Sequence, residues 1–194
     1  MATNQHYGDT QSIIHKNSLQ TICESGLCPN RNECWRMGTA TFMIGGDICT
    51  RHCKFCNTLS GRPLPLDADE PLKVARSVRQ MNLRYAVLTS VDRDDLPDGG
   101  AAHWIKTVNE IKKLNPATGI ELLIPDFGGN KKLIDSVLAT HPNVVGHNME
   151  TVRRLTPHVR SVATYDRSLK VLSVIADAGI MCKTGMMLGL GETE

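Results

Sequence analysis

The residues best suited to chemistry are three cysteines in the run CTRHCKFC, which occupies positions 49–56. Cys49, Cys53 and Cys56 have the spacing C-x3-C-x2-C, and no fourth cysteine follows closely. A structural zinc site is closed by four protein ligands and commonly uses C-x-x-C pairs, so this spacing does not match one. His52 is a poor fourth zinc ligand because its position next to Cys53 would strain the tetrahedron. A [4Fe–4S] cluster needs one outside ligand on each iron, so three thiolates leave one iron open to a small molecule.

A second triad lies upstream in CESGLCPNRNEC, where Cys23, Cys28 and Cys34 have the spacing C-x4-C-x5-C. The opening residues have neither the apolar stretch of a secretory signal nor the pattern of a transit peptide. In a reducing cytoplasm, close groups of cysteines hold metals rather than disulfides. We therefore expect a cytoplasmic protein with two metal–sulfur sites. The seventh cysteine, Cys182, stands alone in an apolar run and is predicted to be a buried structural thiol.

Composition argues against two classes of partner. The net charge of +2 comes from 22 basic and 20 acidic residues that are scattered through the 194 positions, without a basic block for nucleic acid. Only 4% of the residues are aromatic, so base stacking is not indicated. No apolar stretch approaches the length of a membrane span. The sequence therefore predicts no nucleic-acid partner and no membrane partner.

The elements that must position the cysteines alternate between strand-like and helix-like patterns. Strands are predicted at 39–48, 85–91, 120–124, from 144 onward and at 180–191, with helices between them. This alternation predicts an α/β fold with a parallel sheet, either open and doubly wound or curved into a barrel. A complete eight-stranded barrel needs about 250 residues, so the chain is expected to form a partial barrel. Because the chain stops where a covering helix should start, it is also predicted to be truncated.

Two domains are predicted from the change in pattern near residue 39. Residues 1–38 are polar and irregular, and they form an N-terminal extension whose loop carries the upstream cysteines. Residues 39–194 form the incomplete barrel.

Helix ends are indicated by capping residues. Asp69, Asn130 and Asp166 are predicted to begin helices, because their side chains accept hydrogen bonds from the free N–H groups of a first turn. The apolar repeat after Asp166 predicts that Leu169 faces the core and that the helix ends at Gly179.

The cysteine run follows the first strand of a parallel α/β chain and has an aromatic residue before its last cysteine. In this it resembles the radical S-adenosylmethionine (SAM) enzymes. The resemblance implies a barrel of the radical SAM type and a [4Fe–4S] cluster on Cys49, Cys53 and Cys56. The amino and carboxylate groups of SAM would bind the open iron, and electron transfer would cleave the sulfonium to a 5′-deoxyadenosyl radical. Phe55 would lie against the adenine edge. Zinc binding or accidental clustering remains the alternative.

A closer resemblance, to the lipoyl synthase family, runs from about residue 18 to the end. It is carried by CPNRNECWRMGTATFMIGGDICTRHCKFC, GRPLPLDADEP, TSVDRDDLPDGGA, LIPDF, HNMETV and GLGE, in that order. It implies insertion of two sulfur atoms at C6 and C8 of an octanoyl chain that is bound to a carrier protein. Since those methylenes have no acidic proton, no side chain is predicted to act as a catalytic acid or base. The protein positions the reactants and excludes water, while the cofactors carry out the bond chemistry.

The same resemblance implies partners and a second [4Fe–4S] cluster. The partners are octanoylated lipoyl carrier domains, from 2-oxo acid dehydrogenase acyltransferase subunits or the glycine cleavage carrier protein, and flavodoxin or ferredoxin as reductant. Cys23, Cys28 and Cys34 would hold an auxiliary cluster that donates sulfur. Its fourth ligand in the family is a serine that we expect beyond Glu194, and Ser25 would replace it only by chance geometry.

Contacts to SAM are expected at the carboxyl ends of the strands. Ser90 ends the second strand, and by similarity Asn148, Glu150 and Lys183 would contact the ribose hydroxyls and the methionyl carboxylate. The alternatives are a turn residue for Asn148 and a surface charge for Lys183.

Two further segments have simpler interpretations. The acidic run DRDDLPDGG (92–100) is interpreted as a solvated loop rather than a cation site, in which an inward Arg93 would steady the carboxylates. The segment GLGE (189–192) is interpreted as a close approach of backbone to cofactor.

Three other functions remain open on the sequence. A relative of biotin synthase would share the downstream cysteines but not the upstream spacing. An iron–sulfur electron carrier would use four ligands and need no parallel scaffold. A zinc-binding interaction module is the third.

Overall fold

The computed structural model describes residues 5–17, 19–37 and 39–193. Residue 38, where the predicted extension ends, and Glu194 lie outside the described residues. The helices of the described part are α1 (Gln5–Lys16), α2 (Ile22–Ser25), α3 (Arg31–Arg36), α4 (Glu70–Gln80), α5 (Ala101–Leu114), α6 (Lys131–Leu138), α7 (Thr156–Val159) and α8 (Tyr165–Asp177), with a 3-10 turn at Phe127–Gly129. The strands are β1 (Gln20–Thr21), β2 (Thr41–Ile44), β3 (Ile48–Cys49), β4 (Leu59–Ser60), β5 (Tyr85–Ser90), β6 (Gly119–Leu123), β7 (Val144–Gly146) and β8 (Met181–Lys183).

Within the described residues, the main sheet has six strands in the order β1-β2-β5-β6-β7-β8. The pairings from β2 to β8 are all parallel, and β1 adds an antiparallel strand beside β2. The predicted parallel α/β fold is therefore confirmed, and β5, β6 and β7 lie close to their predicted positions. The strands predicted at 39–48 and 180–191 are shorter in the sheet, where they span Thr41–Ile44 and Met181–Lys183. Strands β3 and β4 form a separate parallel pair that flanks the downstream cysteines.

One face of the sheet packs under the helices. Leu88, Leu122 and Val145 have no exposed surface, and they alternate with side chains that point to the opposite face. The apolar stripes of α4, α5, α6 and α8 cover them, with Trp104 of α5 among the largest buried side chains. Burial of a side chain of this size stabilises the fold by about 1.5–3 kcal/mol, so this face fixes the strands whose ends form the site.

The N-terminal region differs from the irregular loop that the sequence predicted. Its described residues contain α1, β1, α2 and α3, and the upstream cysteines lie on or beside the two short helices rather than on an open loop. The Thr21 side chain accepts a hydrogen bond from Glu24 N at the start of α2. Ile14 and Trp35 are fully buried against the core. Such short helices have little stability alone, so tertiary packing rather than periodicity determines them.

Most predicted helix ends are confirmed. The Asn130 side chain accepts a hydrogen bond from Lys132 N at the start of α6. Helix α4 begins after Asp69 as predicted, but the Asp69 side chain makes no capping hydrogen bond. Gly179 follows α8 with a φ of 70°, the left-handed conformation that ends many helices.

Two predictions about α8 and one about β8 are wrong. The N-cap of α8 is Thr164, while Asp166 lies in the first turn and pairs with Arg153 near the surface. Leu169 is 41% exposed, because the buried face of α8 is formed by neighbouring positions of the helix. Cys182 is exposed rather than buried, because β8 is an edge strand of the described sheet.

Candidate functional site

A cavity of about 280 Å³ lies where the carboxyl ends of β2, β5, β6 and β7 meet the downstream cysteine run. The predicted site residues along its wall are Cys49, Cys53, Phe55, Cys56, Ser90, Asn148 and Glu150. Charged and polar residues that the sequence analysis did not assign to the site also line it: Arg51, Asp92, Asp126, His147 and Arg160. The structure therefore brings all but one of the predicted SAM contacts together with the downstream cysteines.

The cysteine run, residues 49–56, is fixed by backbone hydrogen bonds at several points. Gly61 N donates to Cys49 O at 2.9 Å, and Cys56 N donates to Cys53 O at 3.0 Å. On the far side of the cavity, Lys54 N donates to Val159 O at 2.8 Å. These bonds hold the run against the residue that follows β4 and against the C-terminal end of α7.

The downstream thiols suit a cluster better than a single ion. Cys49, Cys53 and Cys56 are free thiols around one cavity. Among the described residues, no three Cys, His, Asp or Glu side chains converge closely enough to hold one metal ion. A [4Fe–4S] cluster spreads its thiolate ligands over separate irons, so three cysteines around a shared space fit that group.

The sulfur of Cys49 is surrounded by hydrogen-bond donors of the backbone. Its Sγ accepts backbone N–H groups from Arg51 at 3.4 Å and Asp92 at 3.3 Å. Burial raises the pKa of the Cys49 thiol, the two N–H groups lower it, and the nearby Asp92 carboxylate raises it. N–H donors of this kind also stabilise negative charge on a sulfur that binds iron.

A buried ion network lies directly behind the cysteine run. Arg51 is 4% exposed, and its guanidinium contacts Asp94 and Asp126, each at 2.7 Å. Asp92 lies 3.3 Å from the same group. The acidic segment 92–100 is therefore not simply a solvated loop, since part of it neutralises a buried arginine. The predicted role of Arg93 is also met in part, because it is buried and pairs with Asp95 at 2.9 Å.

The carboxylates of this network differ in pKa because their surroundings differ. Burial raises the pKa of Asp92 to about 6, which Arg51 opposes and the negative Asp94 and Asp126 reinforce. Burial alone would also raise the pKa of Asp126, but hydrogen bonds and charge from Arg51, with help from Gly128 N and Arg167, lower it to about 2. Asp126 therefore stays negatively charged at a pH at which Asp92 is protonated.

A chain of hydrogen bonds positions Arg160 at the cavity wall. His147 Nδ1 lies 2.9 Å from the Ile124 carbonyl oxygen, so Nδ1 carries the proton and Nε2 accepts from the Ser168 hydroxyl at 2.9 Å. Ser168 Oγ in turn accepts from Arg160 Nη1 at 2.9 Å. Burial lowers the pKa of His147, which keeps it neutral in this role.

Asn148 and Glu150 are held by an unusual backbone. Glu150 has a φ of 64°, and its N–H and carbonyl groups bond to Gly185 O at 3.1 Å and Met187 N at 2.8 Å. A Cβ on Gly185 would lie 2.9 Å from Asn148 Oδ1, so only glycine lets this amide approach. Burial raises the pKa of Glu150, while Asn148 and Arg160 oppose that shift.

Lys183 lies apart from the residues that line the cavity. Its side chain is 62% exposed, and Nζ lies 2.6 Å from Glu121 Oε1. The Tyr85 hydroxyl donates to the other oxygen of Glu121 at 3.1 Å. The GLGE segment also closes on itself, since the Glu192 carboxylate accepts from the N–H groups of Gly189 and Leu190.

The upstream cysteines form a second group on the N-terminal helices. Cys23 is buried, and Cys28 and Cys34 are half-buried free thiols. Burial raises the pKa of the Cys34 thiol, and Cys23 and Cys28 raise it further. Cys28 N donates to Cys23 O at 3.2 Å. The Ser25 hydroxyl donates to the Thr21 carbonyl at 3.1 Å.

Comparison with known proteins identifies the family. The family model of the Radical SAM superfamily matches residues 43–194. Lipoyl synthase from Parabacteroides distasonis is 60% identical over 191 residues, which cover 98% of this chain and 68% of that protein. Lipoyl synthase from Porphyromonas gingivalis is 62% identical over 192 residues, with 98% and 68% covered. The chain belongs to the lipoyl synthase family. It spans about two thirds of the length of these relatives.

Solved structures support the fold. Methylornithine synthase (PylB) gives a TM-score of 0.62 at 12% identity, over 98% of this chain and 60% of that one. The FeFe-hydrogenase maturase HydG from Carboxydothermus hydrogenoformans gives 0.65 at 14% identity, over 98% and 51%. These likenesses concern the fold alone, and the predicted partial barrel of the radical SAM type is confirmed.

Family membership establishes the reaction. The enzyme is a radical SAM sulfurtransferase that inserts two sulfur atoms into a protein-bound octanoyl chain, so its substrates are lipoyl carrier domains. SAM and an iron–sulfur cluster are its cofactors. The predicted function is confirmed, and the electron-carrier and zinc-module alternatives are not supported. Among the described residues, no helix is long and apolar enough to cross a membrane.

The sequence analysis missed the charged residues around the cavity. Arg51 lies inside the cysteine run, and Asp126 lies inside LIPDF, one of the segments that carried the family resemblance. Their positions in those segments were the only sequence signal, because neither belongs to a spacing pattern with known chemistry. Arg160 has no comparable signal.

Proposed function

We propose that Cys49, Cys53 and Cys56 bind a [4Fe–4S] cluster whose open iron takes SAM, with Phe55 and Ser90 beside the nucleotide. The observation that carries this assignment is the single cavity lined by these cysteines together with Ser90, Asn148 and Glu150. When bound, the cluster and SAM supply the radical that removes hydrogen from the octanoyl chain. The side chains of the protein bind and orient SAM and keep water out.

Asn148 and Glu150 are assigned to the ribose hydroxyls. A carboxylate and an amide oxygen accept hydrogen bonds from paired hydroxyls. The left-handed backbone at Glu150 and the close packing of Asn148 on Gly185 fix both side chains before a ligand arrives. Such preorganisation reduces the entropy that binding would otherwise cost.

The methionyl carboxylate is assigned to Arg160 rather than to Lys183. Arg160 lines the cavity and is oriented by Ser168, whereas Lys183 is paired with Glu121 and largely exposed. A guanidinium also binds a carboxylate through two parallel hydrogen bonds, which an ammonium does not do.

Cys23, Cys28 and Cys34 are assigned to a second, auxiliary [4Fe–4S] cluster that donates sulfur. The backbone bond from Cys28 N to Cys23 O at 3.2 Å supports this, as does the direct link between the two cysteine regions, where Asn57 Nδ2 donates to Ser25 O at 2.8 Å. The Ser25 hydroxyl is engaged by Thr21, so Ser25 is not proposed as a ligand.

The proposed partners follow from the reaction. The carrier domains are those of 2-oxo acid dehydrogenase acyltransferase subunits and of the glycine cleavage carrier protein, and the reductant is flavodoxin or ferredoxin. A cytoplasmic location is proposed because the free thiols require a reducing compartment.

Anaerobic reconstitution of three variants tests the two cluster assignments. Each [4Fe–4S] cluster brings about four irons. Replacement of Cys49, Cys53 and Cys56 by Ala should remove about four irons and abolish formation of 5′-deoxyadenosine. Replacement of Cys23, Cys28 and Cys34 should remove the same amount of iron but leave SAM cleavage intact.

Cys182→Ala is the matched control, because it removes an exposed thiol outside both groups. It should change neither the iron content nor SAM cleavage. Loss of SAM cleavage in the upstream variant, with full cleavage in the downstream variant, would overturn the assignment.

A further inference from the structure

Arg51 is a buried charge inside the cysteine run, and the proposed cluster does not use it as a ligand. Its side chain is 4% exposed although it lies between Cys49 and Cys53. Nε and Nη2 donate to the two oxygens of Asp94, each at 2.7 Å, and Nη2 also donates to Asp126 Oδ1 at 2.7 Å. A planar guanidinium can make this set of bonds at once, whereas an ammonium cannot reproduce its geometry.

The partners of Arg51 come from two neighbouring strand ends. Asp94 follows β5 and Asp126 follows β6, so one side chain ties the cysteine run to both strands. Asp126 has no exposed surface, and Arg167 of α8 and Gly128 N also bind it. The anchor is therefore rigid and belongs to the barrel rather than to a loose loop.

The same region controls what surrounds the sulfur of Cys49. Thr50 N donates to Asp92 O at 3.1 Å, and Asp94 N donates to Thr50 Oγ1 at 3.1 Å. These bonds and the Arg51 side chain together fix the backbone N–H groups of Arg51 and Asp92 that point at Cys49 Sγ. Hydrogen bonds to cluster sulfurs raise the reduction potential, because they stabilise the more negative reduced state.

We propose that Arg51 is a positioning residue for the iron–sulfur cluster. It acts through Asp94 and Asp126 to hold the cysteine run so that N–H groups face Cys49, and thereby sets the reduction potential of the cluster. This inference rests on the proposed assignment of the cluster to Cys49, Cys53 and Cys56. It adds a residue that holds the cysteine run through Asp94 and Asp126 and thereby determines how readily the cluster accepts an electron.

Arg51→Lys is the principal test, because it keeps the charge and removes the fork of donors. The reconstituted variant should retain iron on the downstream cysteines, with a reduction potential more negative than that of the wild type. The electron paramagnetic resonance signal of the reduced cluster should broaden as the cysteine run adopts several positions. The rate of 5′-deoxyadenosine formation should fall by about tenfold or more, as with other losses of partners around metal ligands.

Asp94→Asn provides a milder variant in case Arg51→Lys folds poorly. Asp94 is 41% exposed, and its replacement still leaves the buried Arg51 guanidinium paired with Asp126 at 2.7 Å. The potential should shift in the same direction but by less than in Arg51→Lys.

Arg93→Lys is the matched control. Arg93 is also buried and binds Asp95 through two bonds of 2.9 Å in the same acidic segment. Its remaining contact is Gly45 O, not the cysteine run. The control should lose thermal stability while the potential and the resonance signal stay as in the wild type.

Different results would contradict the positioning role of Arg51 and the assignment of the cluster to the downstream cysteines. If Arg51→Lys and Asp94→Asn lower only the melting temperature and keep the wild-type potential and signal, Arg51 is merely structural and the inference fails. If lysine fully restores the wild-type properties that Arg51→Ala loses, charge rather than positioning is responsible, which also overturns it. If wild-type protein assembles no cluster on the downstream cysteines, the proposed function itself fails.

Discussion

The two cysteine triads use the same ligand chemistry but are held by different physical means. Cys49, Cys53 and Cys56 lie at the ends of parallel strands, where backbone bonds and a buried ion network fix them. The upstream triad lies on short helices whose position depends on the burial of Ile14 and Trp35. The downstream site is therefore sensitive to charge and pH, and the upstream site to packing.

The largest effect is expected from a change in the packing that holds the upstream triad. Trp35→Ala removes a fully buried aromatic ring and should lower the free energy of unfolding by about 3–5 kcal/mol. Because Trp35 and Cys34 share α3, the variant should also lose the iron of the upstream triad and keep that of the downstream triad. Denaturant titration and iron analysis of reconstituted protein measure the two effects.

Trp104→Ala is the control, since Trp104 is equally buried but belongs to α5. It should destabilise the chain by a similar amount without selective loss of upstream iron. Equal loss of iron from both triads in Trp35→Ala would contradict the proposed difference.

The ion network behind the downstream triad should make the stability of the fold depend on pH. The pKa of Asp126 is lowered from its ordinary value of 3.8 to about 2 in the folded chain. The ionised Asp126 carboxylate therefore stabilises the fold fully above pH 3.8. That contribution, about 2 kcal/mol, is lost as the pH falls from 3.8 to about 2. Unfolding of the cluster-free protein, followed between pH 5 and pH 2, measures it.

Asp126→Asn should flatten this part of the pH profile and lower stability at pH 5. The upstream substitution Trp35→Ala should lower stability at every pH and leave the slope unchanged. A wild-type slope in Asp126→Asn would show that another carboxylate controls acid unfolding.

The third prediction concerns the fit of Asn148. In Gly185→Ala the new Cβ would lie 2.9 Å from Asn148 Oδ1, so the amide must move from its place at the cavity. We expect a loss of about 1–3 kcal/mol in stability, the usual range for overpacking, together with weaker SAM binding. Calorimetric titration of reconstituted protein with SAM measures the affinity.

Gly179→Ala is the control, because it strains the backbone without creating a new side-chain contact. Gly179 has a φ of 70°, and an added Cβ would meet nothing within 4 Å. Its substitution should cost stability through the left-handed backbone and leave SAM affinity unchanged. Equal affinity in both glycine variants would remove Asn148 from the proposed ribose site.

The smallest effect is expected at the junction of the two triads. Asn57→Ala removes one exposed hydrogen bond, from Asn57 Nδ2 to Ser25 O, and should cost about 1 kcal/mol or less. Hydrogen exchange should increase in the backbone around Ser25 but not in β5 or β6. Protection lost across the sheet would mean that the two regions are not independently held.

The positions of the central strands and of several helix ends could be predicted because they depend on nearby residues. The alternation of β-rich and helical patterns determined the parallel sheet, and Asn130 determined a helix start by a local hydrogen bond. The spacing of Cys49, Cys53 and Cys56 led to the proposed iron–sulfur cluster, since three thiolates leave one iron open. The family resemblance also rested on short runs of consecutive residues.

Only the tertiary structure decided which charges meet at the cavity. Arg51 and Asp126 are separated by 75 positions, and their pairing depends on neighbouring strands ending at one edge of the sheet. Lys183 and Arg160 are both cations. A hydrogen bond to Ser168 orients Arg160 towards the cavity, whereas the ion pair with Glu121 holds Lys183 away from it. Cys182 was mispredicted for the same reason, because its apolar sequence neighbours do not reveal that β8 is an edge strand. Local hydrogen bonds and periodicity depend on residues that are close in the sequence, whereas burial and ion pairing depend on which residues the fold brings together.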